Sequence, residues 1–185
     1  NALTVTTDHA TGSVLVQKNG ESFLLCGVQD GYSINALNRF LQRCGNPRIT
    51  VLAQPAEQHN LSAELRLAQL FEPKILLCDE ETALLGEGQY PETVELLPYR
   101  DTIRNILSDY TLYELGGVGT ILQFGTQKVL KCWTGYDIIT AEDIPDDVTA
   151  VIDRTGNLWL RPDCGWRLYQ SGNLTITLPK EDSAL

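Results

Sequence analysis

A strand-like run, Ile49-Thr-Val-Leu-Ala-Gln54, ends in the polar corner Pro55-Ala-Glu-Gln-His59-Asn60, and a helical pattern over Ser62–Phe71 follows. Ligands clustered just past a strand end are one way to build a metal-dependent hydrolase. Such chemistry needs about three protein ligands and an open water position. This corner offers one imidazole (His59) and one carboxylate (Glu57); Gln54 and Gln58 are neutral amides and Ala56 supplies nothing. With two histidines in the chain, His9 and His59, a histidine-rich zinc site cannot be assembled. An oxygen-rich site drawing on Glu57, Asp153 and Asp8, with His59, would suit Mg²⁺ or Mn²⁺ better than Zn²⁺. The plainer reading is favoured: the acids face solvent, His59 donates to a backbone carbonyl at a helix start, and no metal or other cofactor is expected.

Other catalytic patterns are missing. The chain has no G-x-S-x-G elbow, no phosphate loop and no H-E-x-x-H helix. Gly116-Gly-Val-Gly119 lacks the strand–helix context of a phosphate loop, and a Cys78 or Cys132 nucleophile beside His59 has no spacing to support it. The five cysteines show no C-x-x-C pair and read as reduced, with Cys26, Cys78 and Cys132 in apolar runs. Cys164 is the best candidate for an exposed thiol. For nucleic acid, Arg154, Arg161 and Arg167 interleave with Trp159, Trp166 and Tyr169, a pattern suited to stacking and phosphate contact. Lys18, Arg39, Arg43 and Arg48 form a second, modest basic group. A formal charge of -10 opposes any broad phosphate contact, and tryptophans closing the core are the competing explanation.

The elements that must position these residues read as mixed α and β. At 185 residues with 43% hydrophobic and 21% charged side chains, the chain is long enough and apolar enough for a real core. Ser13–Lys18, Asn19-Gly20 and Glu21–Cys26 predict a hairpin with a type I′ turn. Ile34, Leu37, Leu41 and Cys44 predict a helix capped by Ser33 and ended by Gly45. A second helix carries Leu61, Leu65, Ala68 and Phe71; Lys74–Cys78 reads as a strand buried on both faces, and a short helix is expected around Glu81–Leu85. A strand over Glu92–Leu97 follows, and Asp101–Tyr110 stays open between short helix and loop. Strands are then predicted at Leu112–Leu115, Gly119–Phe124, Lys128–Trp133, Val148–Ile152, Asn157–Leu160, Trp166–Tyr169 and Leu174–Leu178. The expectation is two sheets packed face to face with helices on the outsides.

The opening Thr4-Val-Thr-Thr-Asp-His-Ala-Thr-Gly-Ser13, the Asn19-Gly20 hairpin and Phe23-Leu-Leu-Cys-Gly27 resemble the start of a metallo-β-lactamase-fold domain. The nearer resemblance is to the soluble domain of ComEC-type competence proteins, membrane channels for DNA uptake. Cys26-Gly27 stands near where that family carries Asp-x-Gly. Gln54–His59 falls on its His-x-(His or Asp)-x-Asp-His motif, with Gln54, Ala56 and Gln58 at ligand positions and only His59 matching. Thr134 stands at the place of the metal-bridging aspartate, and Asp153-Arg154 at the place of a paired histidine motif.

The resemblance spans residues 3–178 by order of elements and implies one αββα sandwich domain with a degenerate metal site. Residues 1–2 are then an appended remnant and 179–185 a C-terminal tail. Its vestigial site comprises Gln54, Ala56, Glu57, Gln58, His59, Thr134, Asp153 and Arg154. It implies a non-catalytic module of a ComEC-like membrane protein, a soluble domain, favoured on the extracytoplasmic side and itself not inserted in the membrane. Its partners would be the channel portion, competence proteins or DNA. Two alternatives stand beside this: a residual metal-dependent nuclease or phosphoesterase using Glu57, His59 and Asp153, and an unrelated α/β domain without enzyme activity.

Overall fold

Three antiparallel strands open the chain, and residues that tolerate positive φ set their turns. The computed structural model describes residues 3–28, 30–54, 60–78, 80–98, 104–107, 110–115, 118–135, 144–161, 165–170 and 174–178. Strand β1 (Leu3–Asp8) pairs with β2 (Ser13–Lys18), and β2 with β3 (Glu21–Leu25). Asn19 and Gly20 have φ of 54° and 83°, as the predicted type I′ turn requires.

Helix α1 (Gly31–Arg43) follows, with Gly45 in the left-handed region just past its end. Its cap differs from the expectation. Asp30 is the N-cap, accepting from the Ser33 backbone N–H, while Ser33 sits one turn in and completes a capping box. Asp30 outcompetes Ser33 because its carboxylate also complements the helix dipole.

Next come β4 (Val51–Ala53), α2 (Leu61–Phe71), β5 (Ile75–Cys78), α3 (Glu80–Leu85) and β6 (Glu95–Pro98). Strands β3 to β6 run parallel, and β5 is buried along its whole length, as its apolar run predicts. Helix α2 buries Ala63, Glu64, Leu67 and Ala68. Phe71 packs, partly buried, against the same core, so Ala68 and Phe71 of the predicted stripe face inward and the other buried positions are displaced from it.

The second sheet contains β7 (Arg104–Leu107), β8 (Tyr110–Leu115), β9 (Gly119–Phe124), β10 (Gln127–Cys132), β11 (Ala150–Ile152), β12 (Leu158–Leu160) and β13 (Arg167–Gln170). The segment left open between helix and loop thus contains an edge strand. Pairing with β8 decides this, since Arg104 lies opposite Leu112 and Leu107 opposite Tyr110. The last strand, β14 (Leu174–Leu178), leaves this half and pairs with β1, from Leu3↔Leu178 to Thr7↔Leu174. The sheets run β14-β1-β2-β3-β4-β5-β6 and β13-β12-β11-β10-β9-β8-β7.

Apolar residues fill three layers. Val5, Val16, Phe23 and Val51 meet Leu122, Phe124, Val129 and Ile152 between the sheets. Leu15, Leu24, Leu52 and Leu76 lie under Ile34, Leu37, Phe40 and Leu67 of the helices. On the far face, Ile121, Leu130 and Val151 are covered by Ile144, Val148 and Trp166. Among the described residues, then, the helical cover lies over the first sheet, and loop side chains cover the second.

Candidate functional site

Parallel β3, β4 and β5 share a carboxyl end, and β10 and β11 end beside it in the other sheet. Open α/β sheets place ligands at such ends. Two loops meet here. The β1–β2 turn and the β11–β12 turn approach so closely that a Cβ on Gly12 (φ 65°) would collide with the Arg154 carbonyl oxygen. A Cβ on Gly156 would lie 3.0 Å from the Asp8 carbonyl oxygen. These two glycines let the sheets close at this end.

Polar groups hold the closure. Asp8 is fully buried; one carboxylate oxygen accepts from Arg43 Nη2 at 2.9 Å, and the other from the Thr11 hydroxyl at 2.7 Å and its N–H at 3.1 Å. Lys131 is 1% exposed. Along β10, Leu130 and Cys132 pack on the outer layer while Val129 and Trp133 pack between the sheets, so Lys131 points into the inter-sheet space. Its Nζ donates to the Asp153 carbonyl at 2.6 Å and the Arg154 carbonyl at 3.3 Å, and lies 5.2 Å from the Trp133 ring centroid. Burial pushes the ammonium down to about 8, although the neighbouring Cys132 and Asp153 act in the opposite sense.

A cavity of about 350 Å³ opens beside this ammonium. Lys131, Trp133 and Arg154 line it from the second sheet; Thr11, Gly12, Gly27, Asp30 and Ser33 line it from the first. Arg154 is exposed, and its guanidinium has no ion-pair or hydrogen-bond partner among the described residues. Asp30 is the cavity's acid; hydrogen bonds from the Ser33 backbone and side chain hold its carboxyl below the ordinary value.

The residues singled out from the sequence are placed as follows. Gln54 is 2% exposed; its Nε2 donates to the Val28 carbonyl at 2.9 Å, and its buried Oε1 has no partner among the described residues. Ala56, Glu57, Gln58 and His59 lie outside the described residues, as does Cys164. Thr134 is exposed just beyond Trp133, and His9 is exposed. The Asp153 carboxylate faces its own turn. One oxygen accepts from Thr155 N, Thr155 Oγ1 and Asn157 N, each at 2.9 Å; the other accepts from Asn157 Nδ2 at 2.8 Å and Trp159 Nε1 at 3.2 Å. Burial alone would raise this carboxyl, but the bonds from Asn157, Trp159 and Thr155 outweigh it and hold it low.

Within the basic–aromatic group, Trp159 and Trp166 both pack in the outer cluster of the second sheet. Trp166 is buried in the outer core with Arg161 stacked over it at 5.1 Å, and Arg161 also pairs with Asp146 at 3.0 Å. Trp159 is tied to Asp153, while Arg167 and Tyr169 are exposed on edge strand β13. Cys26, Cys78 and Cys132 are buried, and burial pushes the Cys26 and Cys132 thiols up to about 12, away from the reactive thiolate.

A divalent cation does not fit the described part of this cavity. Two cationic side chains line it, its acid is engaged as a helix cap, and Asp153 has both oxygens occupied. Among the described residues no group of three histidine, cysteine, aspartate or glutamate side chains gathers as metal ligands would. Sequence reasoning overlooked Lys131, Gly12, Asp30 and Trp133. Lys131 stands in a strand that also carries Gln127 and Lys128, so its type and spacing gave no signal of burial.

No protein-family model and no curated protein sequence matches this chain. Solved structures do. The metallo-β-lactamase fold protein YhfI from Bacillus subtilis superposes with a TM-score of 0.50 and 13% identity, over 71% of this chain and 62% of that one. This chain thus spans less than two thirds of that protein's length. DIM-1 metallo-β-lactamase exposed to ceftazidime also superposes with a TM-score of 0.50, at 10% identity, over 79% of this chain and 77% of that one. At such identities the likeness is one of shape, and with the two packed sheets it gives the architecture: this chain has the metallo-β-lactamase fold.

Proposed function

We infer that this is a non-catalytic metallo-β-lactamase-like module, acting by interaction or structural support within a ComEC-like DNA-uptake membrane protein. One observation carries the non-catalytic part. Where the fold gathers its strand ends, this chain presents the Lys131 ammonium and the Arg154 guanidinium, groups that repel a divalent cation. Gln54, at the strand end where the resemblance expects a histidine ligand, uses its amide to hold the Val28 carbonyl. The ComEC-like assignment rests on the resemblance of residues 4–27 and on the order of the later motifs. Among the described residues no helix is long and apolar enough to cross a membrane.

The test is elemental analysis and calorimetry with Mn²⁺ and Zn²⁺, run beside a nuclease assay on single-stranded DNA. The expected result is no stoichiometric metal and no cleavage. One tight site, lost together with cleavage on His59→Ala, would instead establish the residual nuclease using Glu57, His59 and Asp153.

A further inference from the structure

We propose that the cavity between the β1–β2 and β11–β12 turns is a metal-independent oxyanion site, selective for a phosphate group, with Lys131 at its floor and Arg154 at its mouth. This deepens the non-catalytic reading of the same cavity and rests on it.

Three observations support the assignment. First, Lys131 Nζ has three N–H donors, and the protein takes two of them, through the Asp153 and Arg154 carbonyls. The third has no acceptor among the described residues, in a side chain that is 1% exposed and borders the cavity. A buried donor without an acceptor is costly, and a ligand oxygen would remove that penalty. Second, Arg154 borders the same cavity with its whole guanidinium fork unengaged. Such a fork suits two oxygens of one phosphate, while an ammonium supplies a point charge to a third.

Third, the charges select among anions. Lys131 and Arg154 contribute two positive charges and Asp30 one negative, so a phosphate dianion gains more than a carboxylate with one charge and two oxygens. The Thr11 and Ser33 hydroxyls border the cavity too, but both are already bonded, to Asp8 and Asp30. The cavity is several times larger than a bare phosphate, so there is room for the group that carries it. Binding would also hold Lys131 protonated, against the burial that lowers it.

The experiment is calorimetric titration of the domain with inorganic phosphate, sulfate and acetate at pH 7, with EDTA present throughout. Thymidine 5′-monophosphate and thymidine then separate a phosphate carried on a nucleoside from the free ion. One saturable site for phosphate is expected, with acetate bound at least about tenfold more weakly. Arg154→Gln should weaken phosphate about tenfold or more, because it removes the fork but leaves the carbonyl that holds Lys131. Asp30→Asn keeps a competent cap and should tighten phosphate several-fold, a gain that damage to the fold would not produce. Arg39→Gln, an exposed charge on α1 away from the cavity, should leave affinity unchanged.

No saturation by millimolar phosphate would overturn the proposal. So would equal losses in Arg154→Gln and Arg39→Gln, or an Asp30→Asn variant that binds no better. Tighter binding of the nucleotide than of free phosphate, with thymidine silent, would identify the carried group as the ligand. Equal binding of both would leave the site as one for the free ion. Because EDTA is present, a metal-dependent nuclease activity found separately would defeat the non-catalytic reading without deciding this one.

Discussion

The two ends of the inter-sheet core are closed in opposite ways. Beneath the Asn19-Gly20 hairpin, Phe23, Tyr110 and Phe124 form a triangle with ring centroids 4.8 to 5.4 Å apart, two of the three pairs edge-on. At the other end the same gap is bridged by Lys131 reaching the Asp153 and Arg154 carbonyls, while the Asp8–Arg43 pair ties β1 to α1 beside it. An aromatic plug gains from burial alone and needs no partner geometry beyond packing. A buried ammonium carries a desolvation penalty that its hydrogen bonds offset only in part. One end is built for stability, and the other sacrifices stability to keep charged groups beside an open cavity.

The sharpest way to break that contrast is at the aromatic end. Phe124→Ala should destabilise by about 3–5 kcal/mol, the range for emptying a large buried aromatic site, read by urea denaturation. A loss under about 1 kcal/mol would mean the plug does not hold the sheets together.

The paired glycines sharpen it next. Gly12 and Gly20 both sit in hairpin turns at positive φ, so alanine at either meets the left-handed penalty of roughly 1–2 kcal/mol. Only Gly12 faces another loop; around Gly20 a Cβ would meet nothing within 4 Å. Gly12→Ala should therefore cost at least about 2 kcal/mol more than Gly20→Ala, once overpacking is added. Equal effects would show that the two loops are not locked.

Lys131 gives a pH signature. Its folded value of about 8 lies below the ordinary 10.5, so between those values the unfolded chain binds more protons and this group's contribution to stability rises with pH. Cys26 and Cys132, pushed up to about 12, work the other way above pH 9. The comparison is therefore wild type against Lys131→Met. The difference in unfolding free energy should move by about 2 kcal/mol in favour of lysine from pH 7.5 to 9.5. A flat difference would mean that the lysine is solvated.

The smallest effect is expected from Arg154→Gln, within about 0.5 kcal/mol of wild type. A larger loss of thermal stability would make Arg154 part of the closure instead of a side chain free to take a ligand.

Much of the fold is legible locally. Asn19-Gly20 demands its turn whatever surrounds it, and the apolar run at Ile75–Cys78 demands burial on both faces. The strand at Arg104–Leu107 was not legible, because an edge strand is defined by the neighbour it pairs with and its own alternation is weak. Of the cavity's charged lining, only Arg154 was singled out from the sequence. Lys131 stayed hidden, since it reads in a strand as one more outward lysine.

By itself the sequence determined most of the strands and helices, where the tight turns fall, and that no histidine-rich metal centre can form. These follow from single-residue backbone preference and from short-range periodicity. The tertiary structure alone decided that β14 crosses back to β1, that Asp8 and Lys131 are buried, and that Gly12 must be glycine. Each depends on what a distant segment brings within a few ångströms, and a carbonyl from residue 154 meeting residues 12 and 131 has no signature in the neighbours of any of them.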